Sequence, residues 1–299
     1  MQPNPLQPAD FAKLLPFIVD RDTSSDPTRW SKDNPLHGHC AVVSLVAQNL
    51  FGGDILWASL AGDPTWGYMR SHYWNRFPDG AEFDFTREQF AGDFPTNLPA
   101  EARSREEIFG RIGQGVYTIL GRYKNLAFRL ARIVADDAPI FGDDIFRECF
   151  NQAITSPCQK MKFGCVVRDH RRRSVAQGHN EPLPPISAWC QPTCVRLSLP
   201  HRSDALIGAC EHAEEMAVWQ AVHQGFRMEK TNLHVVGLYP NGLVWFRDRP
   251  EFTCMRCAVL IYNARIKDVS VPMAHGWERI DCETALRTAS LYASTQSFV

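Results

Sequence analysis

Two short stretches near the C-terminal end carry residues whose types and spacing could do chemistry. One is Cys210-Glu211-His212-Ala213-Glu214-Glu215-Met216-Ala217; the other is Phe252-Thr253-Cys254-Met255-Arg256-Cys257-Ala258. The first offers an imidazole, with a carboxylate two residues on. The second offers two thiols three residues apart. His212, Cys254 and Cys257 together can hold a zinc ion and leave its fourth position open, which separates a catalytic zinc site from a structural one. Two thiolates and a neutral imidazole cancel the charge of the ion, which still acidifies a water towards neutrality. Glu214 is not needed as a ligand. It can take a proton from that water, deliver it to a ring nitrogen of a substrate, and later pass it to a departing amine.

These groups need particular elements beneath them. Cys254 and Cys257 face the same way only if a helix begins there, because positions i and i+3 are neighbours on a helix. A helix N-terminus also favours thiolate and carboxylate charge. The surrounding pattern predicts a helix over 145–153, a strand over 163–168 and a hairpin partner over 175–180. A helix bearing His212 and Glu214 follows, then a strand over 232–238. An Asn241-Gly242 turn leads to a strand over 243–246. A helix over 254–263 and a last strand over 266–271 complete the domain. Helix, hairpin, helix, strand, helix, strand predicts a three-layer α/β/α domain over residues 144–299.

His-Ala-Glu followed downstream by Cys-x-x-Cys resembles the signature of zinc-dependent nucleoside, nucleotide and nucleic-acid deaminases. The resemblance runs from about Asp144 to Val271. It implies a cytidine deaminase-like fold, His212, Cys254 and Cys257 as zinc ligands, and Glu214 as proton shuttle. One departure is Thr253, where the family usually has proline before the first cysteine. The resemblance also implies a sugar or base contact for Asn180, at the end of the hairpin; a loop-capping role stands beside it. Deoxycytidylate deaminases often carry a Cys-x-Arg in the loop before the His-Ala-Glu helix, and Cys194-Val195-Arg196 and Cys210 look similar. With Cys190, and His201 as a further donor, these thiols offer a second, structural zinc site. Loop cysteines without metal are the alternative.

The activity so implied is hydrolytic conversion of an amino-bearing base to its carbonyl form with release of ammonia. Cytosine in a nucleoside or nucleotide is the leading substrate, which would place the enzyme in nucleotide metabolism. Single-stranded DNA or RNA is the alternative and would need a basic channel. Arg171, Arg172 and Arg173 in the hairpin turn, and the arginine-rich stretch over 101–143, are the candidate basic surfaces. A solvated face is the commoner explanation of both. The 101–143 stretch has apolar residues at helical spacing and reads as a helical connector.

Residues 1–100 read as a separate, smaller α+β domain. Cys40 opens an apolar helical run, His72 lies in a strand over 71–76, and Asp84 lies in a strand over 82–86. A cysteine at a helix start, a histidine base and an orienting carboxylate make a candidate Cys40–His72–Asp84 triad. The segments around Trp30, Cys40, His72 and Asp84 resemble the small bacterial YunG-like domains, and the arrangement is similar to papain- and transglutaminase-like scaffolds. The residues leave open a packed thiol, a domain that binds a partner, and a cysteine hydrolase or transferase for which the second domain is a sensor.

Composition bounds the rest. The 299 residues suffice for two domains, and 32 basic against 33 acidic residues give no global basic excess. No run is long and apolar enough for a membrane span. The first residues lack a charged-then-apolar signal segment. Ten cysteines in that setting point to a reducing, cytoplasmic compartment where thiols bind metal or do chemistry. Deaminases of this kind often assemble, so the resemblance leaves a homo-oligomer open, while the sequence does not fix the oligomeric state.

Overall fold

The computed structural model describes residues 6–92, 94, 98–110, 118–190, 193–198, 210–246 and 252–295. Part of the basic stretch (residues 111–117) and His201 lie outside the described residues. The chain divides into two compact units, Met1–Ala131 and Arg132–Val299. The protein is a mixed α/β structure.

In the first unit, helix α1 (Pro8–Ile18) buries Phe11, Leu15 and Ile18, spaced four and three apart. Helix α2 (Cys40–Phe51) is apolar almost throughout and buried from Cys40 to Ala47. It ends at Gly52, whose φ of 74° suits glycine. Strands β1 (Asp54–Ser59), β2 (Ser71–Arg76), β3 (Glu82–Phe83) and β4 (Glu101–Arg103) form an antiparallel sheet in the order β3-β2-β1-β4. Helices α3 (Arg105–Phe109) and α4 (Ile119–Val134) follow. The strand expected over 82–86 stops after two residues. Asp84 leaves the ladder because its Oδ1 accepts the Thr86 N–H and hydroxyl at 3.0 and 3.1 Å, a local turn that competes with strand pairing.

The second unit begins with α5 (Asp144–Ala153). The Asp143 carboxylate caps it by accepting the N–H groups of Ile145 and Phe146 at 2.9 and 3.0 Å. Its main sheet contains β5 (Lys162–Arg168) and β6 (Ser174–His179). A two-residue pair, β7 (Glu181–Pro182) with β8 (Cys210–Glu211), stands apart from it. Then come α6 (Ala213–His223), β9 (Asn232–Leu238), α7 (Met255–Asn263), β10 (Asp268–Met273), β11 (Gly276–Asp281) and α8 (Cys282–Thr295). The sheet order is β11-β10-β9-β5-β6, parallel only between β9 and β10.

Two glycines show how the layers meet. A Cβ on Gly164 would collide with the backbone of α5 at Cys149 and Ala153. A Cβ on Gly178 would stand 2.7 Å from Ala213 O and Ala217 N in α6. Gly178 is the register partner of Cys165, the neighbour of Gly164, so α5 and α6 lie on opposite faces of the sheet. On the α6 face, Cys165, Val167, Leu233, Val235, Val269 and Val271 pack with Ala213, Ala217, Cys257 and Ala285. The layers are therefore α/β/α, with both motif helices on one face.

The strand expected over 243–246 is absent. β9 already pairs with β5 along its length and with β10 at its start, leaving only its end for a single bridge between Leu238 and Val244. The sheet also extends beyond the expected last strand, through β11.

Candidate active site

Both chemical motifs sit where a helix begins. β8 delivers His212 to the N-cap of α6, and Cys254 is the N-cap of α7. The Cys254 sulfur accepts the Cys257 N–H at 3.5 Å, closing the first turn and turning both thiols to one side. His212 Nδ1 lies 3.2 Å from Cys257 Sγ and 3.4 Å from Cys254 Sγ. Among the described residues, these three form the only group of three or more histidine, cysteine or acidic side chains whose ligand atoms all lie within 4.8 Å of one another.

The electrostatics favour a cation at that point. The neighbouring Cys257 thiol donates to Cys254 and, with His212 and against burial, draws the Cys254 thiol down to about 4. Cys257 is pushed well above the ordinary thiol range by that same hydrogen bond, by burial and by the Glu214 charge. Burial works against charge on His212, but Cys254, Glu214 and Glu215 outweigh it and raise the imidazole. The cluster thus shares protons among donors that a dication would replace. One imidazole nitrogen and two sulfurs match zinc, leaving a fourth position for a non-protein ligand.

Glu214 is the second residue of α6 and is 8% exposed. Its charge reaches His212, Cys257 and Cys165, so the carboxylate acts within electrostatic range of the ligand cluster. Glu215, the next residue, accepts the His212 N–H at 2.9 Å and forms an ion pair with Arg256 Nε. It therefore ties the start of α6 to the start of α7. Thr253, which stands where the resemblance calls for proline, has a buried hydroxyl with no hydrogen-bond partner.

Asn180 is buried and largely committed. Its Oδ1 accepts the Phe163 N–H at 2.6 Å and the Ser156 hydroxyl at 2.8 Å, while Nδ2 donates to Met161 O at 2.9 Å. Only the second Nδ2 hydrogen is left for another acceptor. Of the loop thiols, Cys190 and Cys194 lie 3.9 Å apart. Burial and the charges of Cys194, Cys210 and Cys158 raise Cys190 to about 12. Among the described residues, no third thiol joins that pair within 4.8 Å. At the hairpin tip, Asp169 accepts the N–H groups of Arg171 and Arg173 and pairs with the Arg173 guanidinium at 2.7 Å. That accounts for the turn without a ligand.

In the first unit Cys40, His72 and Asp84 also come together. His72 Nε2 is 2.8 Å from Asp84 Oδ2, and the Cys40 side chain hydrogen-bonds the same ring.

Comparison with known proteins separates the two units in the same way. Residues 142–273 match the cytidine and deoxycytidylate deaminase zinc-binding region. His212, Glu214, Cys254 and Cys257 all fall within this deaminase region. Residues 7–126 match the YunG protein family. The uncharacterized protein YunG of Bacillus subtilis (strain 168) is 35% identical over 82 residues, 27% of this chain and 63% of the relative. The chain therefore spans less than two thirds of the length of that relative. Among solved structures, a cytidine deaminase from Burkholderia pseudomallei aligns at 14% identity and a TM-score of 0.30, covering 45% of this chain and 87% of that one. A dCMP deaminase from the cyanophage S-TIM5 aligns at 18% identity and a TM-score of 0.30, covering 49% and 92%.

Sequence reasoning missed three residues that shape these sites: Glu215 and Arg256, which pair across the two motifs, and Gln89, which faces His72. The Glu215–Arg256 pair had a legible signal, since each lies one helical position from a motif residue. Gln89 had none.

Proposed function

We propose that the deaminase region is a zinc-dependent hydrolytic deaminase. It converts an amino-bearing base, foremost cytosine in a nucleoside or nucleotide, to the carbonyl form. Water supplies the oxygen and the exocyclic amine leaves as ammonia. The observation that carries this reading is the convergence of the His212 Nδ1, Cys254 and Cys257 donors beside the Glu214 carboxylate. A structural zinc site has no use for that carboxylate.

His212, Cys254 and Cys257 hold the ion, which when bound supplies the Lewis acidity that readies water for attack. Glu214 takes the proton that water gives up and holds it on a carboxylate oxygen. It delivers that proton to the ring nitrogen next to the reacting carbon as the amidine is saturated, and a further proton reaches the departing amine by the same route. Glu215 and Arg256 fix the two helix starts so that carboxylate and ligands keep their spacing. The remaining Nδ2 hydrogen of Asn180 donates to an acceptor oxygen on the substrate, a narrower role than two-way recognition of a hydroxyl. A second, structural ion on Cys190, Cys194 and Cys210 would need these thiols to draw closer together than they lie, and zinc content of one or two per chain decides its presence. All ten cysteines are free, in keeping with a reducing cytoplasmic setting and a role in nucleotide metabolism.

The test is a substrate panel: cytidine, deoxycytidine, their phosphates, guanine and adenine compounds, and single-stranded DNA and RNA. Ammonia release and exchange of amine for carbonyl are read by mass spectrometry, with Glu214→Ala as the control. Conversion of a free cytosine compound that vanishes in the control supports the reading. Conversion confined to polymers moves the substrate to nucleic acid.

A further inference from the structure

The first unit holds a second constellation that deamination does not use. Cys40 is the first residue of α2, a helix of 12 residues, so its thiol lies at the positive end of a helix dipole. The His72 ring, fully buried on β2, hydrogen-bonds the Cys40 side chain. Its Nε2 lies 2.8 Å from Asp84 Oδ2. The other carboxylate oxygen is held by the N–H and hydroxyl of Thr86. Base and orienting carboxylate are therefore locked together by three hydrogen bonds before any substrate arrives.

Two further groups fit the same purpose. Gln89 is fully buried. Its Oε1 accepts the Gly38 N–H at 3.3 Å, which turns its Nε2 to within 3.3 Å of His72 Nδ1. An amide donor thus meets the ring nitrogen that Asp84 leaves, and the Cys40 N–H is one of the four at the helix start that lack an intrahelical acceptor. Arg122, from α4, is 4% exposed; it donates to Thr23 O and Gly38 O, and its Nε has no partner. Its charge reaches Cys40. The neighbouring His39 is held neutral, pushed by burial and by Arg122 down to about 4. The charges facing the thiol are therefore His72 with Asp84 on one side and Arg122 on the other. A cavity of about 260 Å³ reaches Asp84 and is walled by Trp74, Phe83, Phe94 and Leu98 with Glu82 and Arg87.

We propose that Cys40, His72 and Asp84 form a second active site, a thiol acyl-transfer centre that cleaves an amide or ester carrying an apolar group. The Cys40 thiol gives its proton to His72 as the sulfur attacks the carbonyl carbon, forming a C–S bond while the carbonyl electron pair moves onto oxygen. The Gln89 amide and the Cys40 N–H receive that oxygen. As the tetrahedral adduct collapses, the bond to nitrogen or oxygen breaks and His72 gives its proton to the leaving group. Water then attacks the thioester, His72 takes its proton, and the C–S bond breaks to release the acid and restore the thiol. The net change is hydrolysis: acyl compound plus water gives acid plus amine or alcohol. Asp84 is a positioning residue that holds the imidazole.

The test uses the zinc-loaded full chain, in which Cys254 and Cys257 are occupied. 4-Nitrophenyl acetate is added and nitrophenolate release is followed, with mass mapping of every cysteine peptide. The expected result is a burst of one equivalent, with the acetyl group on Cys40. Cys40→Ser loses the burst; Asp84→Asn, which keeps size and fold, slows it about a hundred-fold. A parallel arm alkylates the protein with iodoacetamide at pH 6, where ordinary thiols are slow. Cys40 should react at least about ten-fold faster than the partly exposed Cys282, and His72→Gln should remove the difference. Acetylation spread over other thiols, or a Cys40 rate equal to that of Cys282 and unchanged in His72→Gln, would overturn the proposal.

Discussion

At the scale of single residues, Glu214 is the group whose presence only chemistry explains. Glu214→Gln keeps the side chain's size but cannot accept a proton, so turnover falls roughly a thousand-fold while zinc content stays unchanged. Cys257→Ser loses the metal instead. The two variants separate proton transfer from ion binding, and zinc analysis beside a rate assay reads both. In the first unit His72 carries a pH signature. Burial opposes its charge, but the hydrogen bonds it makes to Asp84 and Cys40 prevail and raise it to about 9 from 6.5. A histidine raised by folding contributes stability that is fully present below the unfolded value. That stability is lost as pH climbs through the folded one. The first unit should therefore weaken on the order of 3 kcal/mol between those limits. Denaturant midpoints across that range should flatten in His72→Gln.

At the scale of elements, the site depends on how α6 and α7 are seated. Gly178→Ala places a methyl 2.7 Å from the α6 backbone at Ala213 and Ala217. Moving that helix should cost about 1–3 kcal/mol and weaken zinc retention, read by melting temperature and by competition with a chelator. Glu215→Ala breaks the tie to Arg256 and frees the His212 N–H, with a loss of about 2 kcal/mol and the same weakening of zinc.

Much of this was legible in the sequence. The motif spacing places three donors and a carboxylate at two helix starts, because capping and i, i+3 geometry are local. The apolar periods of α1, α2, α5 and β5 are local too. What was not legible depends on partners distant in the chain. Leu243 to Phe246 has strand-like residues, but β9 offers them only its end, through the bridge of Leu238 with Val244. β11 has a mixed pattern because only one of its edges and little of its surface is covered. The Asn180 amide is spent on Phe163, Ser156 and Met161, and a Gly-x-Asn pattern cannot report those contacts.

At the scale of the whole molecule, two units each carry a buried core and a distinct chemical constellation. No described helix is long and apolar enough to cross a membrane. On the deaminase region, Met255, Val259, Leu286 and Leu291 line a groove of about 580 Å³ between α7 and α8, and Tyr262 is also exposed. A homo-oligomer, which the sequence leaves open, would cover this apolar strip with a second copy of the chain. Val259→Glu should then lower the mass seen by light scattering without changing zinc content. The central claim is that this metal-ligand cluster deaminates a base. It is tested most directly by incubating equal amounts of zinc-loaded wild type and Glu214→Gln with cytidine, deoxycytidine and their phosphates, and measuring ammonia. Stoichiometric ammonia and the matching carbonyl product are expected from the wild type, with almost none from the variant. Equal ammonia from both proteins, or none from the wild type with zinc bound, would contradict it.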